Sequence, residues 1–141
     1  MICRYARQID KLDRVEVLGF VDGGKSVDWI ADCGGKVINL LAKGSLKHCT
    51  QQLQKTPEEH IADIQETVRY AAEKGLSVNL YLEDWSNGMK DSPEYVYQLM
   101  DSLVPFILPQ LGEVTAAEES PLQSEGVRGA FRGCLRQIFV R

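Results

Sequence analysis

TPEEHIADIQETVRYAAEKGLSVNLYLE, residues 56–83, combines the two kinds of element that decide the fold. Thr56 can cap a helix, Pro57 fits its first position, and Glu59 can bond back to the capping residue, so a helix is predicted to begin here. Apolar residues then recur at steps of three and four residues and predict one buried helix face: Ile61, Ile64, Val68, Ala71 and Ala72. After the stop at Lys74-Gly75, residues 76–82 are predicted to be a strand.

The same alternation of strand and helix extends along the chain in both directions. The other predicted elements are strands at 15–21, 36–41 and 106–109, a short helix at 26–33, a helix from Ser92-Pro93, and a loop at 83–88. Such alternation predicts parallel strands with right-handed crossovers, in either a doubly wound sheet or a (β/α) barrel. Both architectures place chemistry at the carboxyl ends of strands, here the loops at Asp22, Lys43 and Glu83.

The composition excludes several classes of protein. The 141 residues are 44% hydrophobic and 26% charged, as in one globular domain, and the net charge of -4 provides no broad attraction to nucleic acid or membrane. No apolar run reaches the ~18 residues of a membrane span, and no signal peptide is recognisable, so a cytoplasmic location is expected. The four cysteines form no C-x-x-C pair and are expected to be buried or half-buried thiols: Cys3, Cys33, Cys49 and Cys134.

A glycine-rich pattern lies between the first predicted strand and helix. Residues 19–26, GFVDGGKS, satisfy the phosphate-loop pattern G-x-x-x-x-G-K-[ST], which would bind a nucleotide. Phe20 and Val21 would place two bulky apolar residues in a cradle that needs free backbone N–H groups, and they fit a strand better. Nucleotide binding therefore remains an alternative hypothesis.

Three longer stretches resemble a known enzyme family: VEVLGFVDG at 15–23, VINLLAKGS at 37–45 and NLYLEDWSNG at 79–88. Together they resemble the acetyl-CoA-condensing synthases that make 2-isopropylmalate, homocitrate and citramalate, and the citramalate branch looks nearest. The likeness runs from about residue 3 to about residue 103, and the block at 81–88 is more specific than the glycine pattern.

The resemblance implies a (β/α)8 barrel in which a divalent metal chelates a 2-oxoacid and a base forms the enolate of acetyl-CoA. Residues 1–119 would be a partial barrel, with strands two to four and the start of strand five. Glu83 matches the family's acid at the end of strand four and would be the catalytic carboxylate, while Tyr81 would line the 2-oxoacid pocket. Leu18, Phe20 and Leu41 match positions that select the oxoacid side chain, and their bulk favours a small substrate such as pyruvate.

The chain also departs from the family. The Asp-Arg pair of strand one is expected before residue 1 and the His-x-His metal pair beyond residue 141, so no metal ligand is assigned and no cofactor is expected for this chain. The strand-five motif Leu-Pro-Asp-Thr-x-Gly becomes LPQLG at 108–112, and residues 120–141 are a basic tail that fits a short helix. We therefore expect a truncated or rearranged piece of a larger enzyme, inactive alone.

Two remaining expectations concern the surface. A half-barrel leaves strand edges open, so a non-catalytic module that associates with itself through those edges is a further hypothesis. His48 and His60 are expected to be surface or helix-face histidines.

Overall fold

The computed structural model describes residues 2–107, which form an α/β unit around a three-stranded parallel sheet. Its strands are β1 (Glu16–Phe20), β2 (Val37–Lys43) and β3 (Ser77–Glu83), paired in the order β1-β2-β3. Strands that follow each other along the chain are therefore neighbours in the sheet. The predicted α/β class with parallel strands is confirmed.

Helices connect and flank these strands: α1 (Ile2–Gln8), α2 (Lys25–Asp32), α3 (Pro57–Glu73), α4 (Trp85–Asp91) and α5 (Pro93–Ile107), with a π-helical turn at His48–Gln52. α3 begins where the sequence predicts. Thr56 Oγ1 accepts a hydrogen bond from the Glu59 N–H at 3.2 Å, and the Glu59 carboxylate accepts one from the Thr56 N–H at 2.8 Å. This reciprocal cap satisfies two donors near the helix start, so short-range contacts determine where α3 begins.

The two faces of the sheet differ in what covers them. One face packs beneath the helices and is almost inaccessible to solvent: Ile38, Leu40, Ala42, Val78 and Leu80. α3 and α5 complete this core with residues at helical spacing: Ile64, Val68, Leu99 and Leu103. The opposite face is left uncovered by the described residues, because Leu18, Phe20 and Tyr81 remain 56%, 50% and 40% exposed.

Gly19 explains how closely α2 lies against β1. It occupies the buried face, where a Cβ atom would come within 2.5 Å of Ile38 Cδ1 and 3.1 Å of Ser26 Cβ. A larger residue would displace the buried Ile38 side chain and crowd Ser26 at the start of α2, so the absence of a side chain permits this close packing.

Two element predictions are wrong. Residues 106 and 107 end α5 instead of beginning a fourth strand. An apolar run this short is compatible with either a helix or a strand, and here it continues the apolar face of α5. The stretch 83–88 is not a loop throughout, because α4 begins at Trp85. Residues 108–112, the tail at 120–141 and Cys134 lie outside the described residues.

The predicted absence of the family's Asp-Arg strand motif and of a membrane span can be compared with the described residues. The one Asp-Arg dipeptide of the sequence, Asp13-Arg14, belongs to a 3-10 turn before β1 and not to a strand. Within residues 2–107, no helix combines the length and the apolar character needed to cross a membrane.

Candidate functional site

The four predicted substrate-facing residues lie on the uncovered face of the sheet. Phe20, Leu41 and Tyr81 are directly opposite one another across the three strands. Leu18 lies two residues before Phe20 on the same face, in register with Asn39 and Asn79. The structure therefore brings these four side chains together as one apolar patch near the carboxyl ends of the strands.

Glu83 adjoins this patch and is paired with a lysine. Lys43 and Glu83 are opposite each other at the ends of β2 and β3, and the Lys43 ammonium donates a hydrogen bond to the Glu83 carboxylate. The side chain of Glu83 is 42% exposed, whereas that of Lys43 is 19% exposed. A solvent-accessible carboxylate paired with one cation therefore lies two residues beyond Tyr81, at the carboxyl end of β3.

The backbone of Lys43 is held by two buried side chains that sequence reasoning did not assign to the site. His60 Nε2 accepts a hydrogen bond from the Lys43 N–H at 3.1 Å, and the Tyr95 hydroxyl donates one to the Lys43 carbonyl at 3.0 Å. α3 and α5 therefore each form a hydrogen bond with the end of β2 from the covered side of the sheet. These two hydrogen bonds depend on how α3 and α5 pack against β2, which the sequence does not show. The one signal in the sequence is that His60 immediately precedes Ile61, the first residue of the predicted apolar stripe.

The sequence predicts His60 to lie at the surface or on a helix face; the residue lies on α3, but it is only 1% exposed, so the surface alternative is wrong. Since Nε2 accepts a hydrogen bond, the proton of the neutral ring lies on Nδ1, which has no hydrogen-bond partner in the described part of the chain. Burial lowers the pKa of His60 below its usual value, because a charged imidazolium would be poorly solvated there.

Asp84 joins the loops that follow β2 and β3. It adopts a left-handed backbone conformation at φ 63°, and its carboxylate accepts hydrogen bonds from Ser45 Oγ at 2.8 Å and Asn87 Nδ2 at 2.6 Å. These two hydrogen bonds lower the pKa of Asp84, because they stabilise its charged form. His48 is half-buried, with Nε2 3.5 Å from the same carboxylate, beside a cleft of about 410 Å³.

The loop at Asp22 is closed by its own side chains. The Asp22 carboxylate accepts hydrogen bonds from the Ser26 N–H at 3.1 Å and from the Ser26 hydroxyl at 2.7 Å. The Ser26 hydroxyl in turn accepts one from the Phe20 N–H at 3.1 Å and is buried. A nucleotide phosphate would have to displace the Asp22 carboxylate from the Ser26 N–H and hydroxyl donors. The geometry therefore does not favour nucleotide binding at this loop.

The donors at the site do not fit the divalent metal that the family resemblance implies. Within residues 2–107, His, Cys, Asp and Glu form no cluster of three that could hold a metal ion. The one lone pair that neutral His60 offers already accepts the Lys43 N–H. We therefore assign no metal ligand among the described residues.

No model of a known protein family matches this sequence.

Proposed function

We propose that this chain is a segment of an acetyl-CoA-dependent 2-oxoacid condensing synthase of the citramalate and 2-isopropylmalate type, with Glu83 as its catalytic carboxylate. One observation carries the proposal: the apolar row Phe20, Leu41 and Tyr81 adjoins the Lys43–Glu83 pair at the carboxyl ends of parallel strands. Active sites of parallel α/β proteins lie at this end of the sheet.

We further propose that the three strands belong to a (β/α) barrel. Barrel strands follow one another in sequence order and carry helices on one face only, and both features hold for residues 2–107. A doubly wound sheet would instead have helices on both faces. The uncovered face with Leu18, Phe20 and Tyr81 would then be the interior of the barrel, which is filled or lined by alternate residues of each strand.

The proposed substrates follow from the shape and charge of this face. A 2-oxoacid with a small side chain, such as pyruvate, fits beside bulky Leu18, Phe20 and Leu41, which leave little room for a branched chain. Glu83 would act as the base that removes a proton from the acetyl group, a step that needs a carboxylate within hydrogen-bond reach of the substrate. Lys43 would hold that carboxylate in place.

We expect no turnover from this chain on its own. Condensation in the family needs a metal to polarise the carbonyl of the oxoacid, and the 141 residues contain no His-x-His pair. Loss of such polarisation removes several kcal/mol of transition-state stabilisation, and each ~1.4 kcal/mol is a tenfold loss in rate. A positioned carboxylate base alone contributes about 10² to 10⁴ in rate, which does not compensate for this loss.

Two measurements on the full chain test the proposal. Thiol release from acetyl-CoA, corrected for the four cysteines of the protein, is followed with pyruvate, 2-oxobutyrate or 2-oxoisovalerate and added magnesium, manganese or zinc. Carbon-detected NMR titrations with pyruvate and with acetyl-CoA then map binding. We expect no turnover, and we expect pyruvate to perturb the signals of Leu41 and Tyr81 more than 2-oxoisovalerate does.

The matched variants are Glu83→Gln and Asp63→Asn, since each removes a carboxylate that a single lysine contacts. Only Glu83→Gln should weaken the shifts caused by acetyl-CoA. Shifts confined to other parts of the chain, or equal effects of both variants, would refute the proposed site. Turnover that disappears in Glu83→Gln would support the enzyme class and contradict the expected inactivity.

A self-associating module is the second candidate, and the uncovered apolar face favours it. β1 and β3 each have only one neighbouring strand among the described residues, so each has an edge that could pair with a second copy. Size-exclusion chromatography with light scattering tests this candidate, and a monodisperse monomer at high concentration would count against it.

A further inference from the structure

Two cysteines far apart in sequence meet where α1 contacts the end of α2. Cys3 lies on α1 and Cys33 is the C-terminal cap of α2, and their sulfur atoms are 3.0 Å apart. Both are free thiols. Cys3 is buried, with 7% of its surface exposed, whereas Cys33 is half-buried and is the more accessible of the two residues.

Neighbouring contacts hold the two sulfur atoms in this position. The Arg7 guanidinium on α1 donates a hydrogen bond to the Cys33 carbonyl at 2.9 Å, so it connects α1 to the end of α2. The Cys33 thiol also lies 3.2 Å from the Ile30 carbonyl oxygen. A disulfide has an S–S length of about 2.05 Å, so the sulfurs need to approach by only about 1 Å.

We propose that Cys3 and Cys33 form a reversible disulfide site, which a small-molecule disulfide such as oxidised glutathione converts into a covalent link between α1 and α2. The Cys33 thiolate attacks one sulfur of glutathione disulfide, which breaks that S–S bond and releases one glutathione thiolate. The Cys3 thiolate then attacks the Cys33 sulfur of the mixed disulfide and releases the second glutathione. Two electrons and two protons pass from the cysteines to the glutathione pair.

The order of attack follows from the surroundings of each thiol. The hydrogen bond with Cys33 and burial raise the pKa of Cys3, so less of it is present as the nucleophilic thiolate. Cys33 is more exposed and can meet a dissolved oxidant first. Cys3 then needs no access to solvent, because its target is the adjacent sulfur.

The link would act on stability and leave the candidate site unchanged. Cys33 precedes the amino end of β2, whereas Lys43 and Glu83 lie at the carboxyl ends of β2 and β3. The closed loop would contain β1 and α2. Constraining this length of chain reduces the entropy of the unfolded state, so the oxidised protein should melt at a higher temperature.

The full chain is incubated with oxidised glutathione, quenched in acid, alkylated and digested with trypsin. We expect a linked pair of peptides 1–4 and 26–36, about 2 Da lighter than the sum of the two because two hydrogens are lost. The Tm should rise by several degrees and return to its starting value with dithiothreitol.

Three variants complete the test. Cys33→Ser and Cys3→Ser should each abolish both the linked peptide and the rise in Tm, whereas Cys49→Ser should keep both, since Cys49 is fully buried elsewhere. Two separate glutathione adducts on Cys3 and Cys33, two unmodified thiols, or a link to another cysteine would each overturn the proposal. So would a linked peptide without any change in Tm.

Discussion

Replacing His60 with glutamine should flatten the pH dependence of folding stability between pH 7.5 and pH 5.5. His60 is buried and its pKa is lowered by burial, so the folded protein holds it neutral at pH values where the unfolded chain already binds a proton. In that range the unfolded state binds more protons than the folded state. The contribution of His60 to stability is therefore fully present above the pKa that this histidine has in the unfolded chain. It is lost as the pH falls towards the pKa of His60 in the folded protein.

The expected size of the effect follows from the usual histidine pKa of 6.5. Between pH 7.5 and pH 5.5, a histidine that titrates only in the unfolded chain lowers the free energy of unfolding by at most about 1.4 kcal/mol. With a urea m-value of about 2 kcal/mol/M, the unfolding midpoint then moves down by at most about 0.7 M. Glutamine can still accept the Lys43 N–H but does not titrate, so this contribution should vanish.

Urea unfolding of the wild type, His60→Gln and His48→Gln at pH 7.5, 6.5 and 5.5 measures this difference. His48→Gln is the matched control, because this substitution removes the other histidine of the chain and leaves buried His60 in place. We expect His48→Gln to keep the part of the pH dependence that the burial of His60 causes. Equal losses in the wild type and His60→Gln would show that burial of this imidazole does not control the acid sensitivity.

Three further substitutions test the contacts around the site. Tyr95→Phe should cost about 1–3 kcal/mol of unfolding free energy, because the partly buried Lys43 carbonyl loses its hydroxyl donor. Thr56→Ala should cost about 1 kcal/mol through loss of the α3 cap. Gly88→Ala should cost about 1–3 kcal/mol, because a Cβ atom would overlap the Gly44 carbonyl oxygen and force α4 away. Urea unfolding measures all three against exposed controls: Tyr5→Phe, Thr50→Ala and Ser86→Ala. A cost below about 0.5 kcal/mol at any of the three sites would contradict the contact assigned there.

The sequence alone determined the local elements whose signals lie within a few residues. The capping box at Thr56 predicted the start of α3, and the β-branched and apolar runs predicted all three described strands to within a few residues. The failed prediction at residues 106–107 concerned a short apolar run, for which helix and strand periodicities are not distinct.

The tertiary structure decided which side chains meet. Strand register placed Phe20, Leu41 and Tyr81 in one row and paired Lys43 with Glu83, and this register depends on packing between strands separated by a helix. The burial of His60 depends on α3 docking against the end of β2, and the contact of Cys3 with Cys33 depends on how α1 docks on α2. Such contacts join residues 17 to 52 positions apart. Local propensity has no access to them, because they form only when the helices close over one face of the sheet.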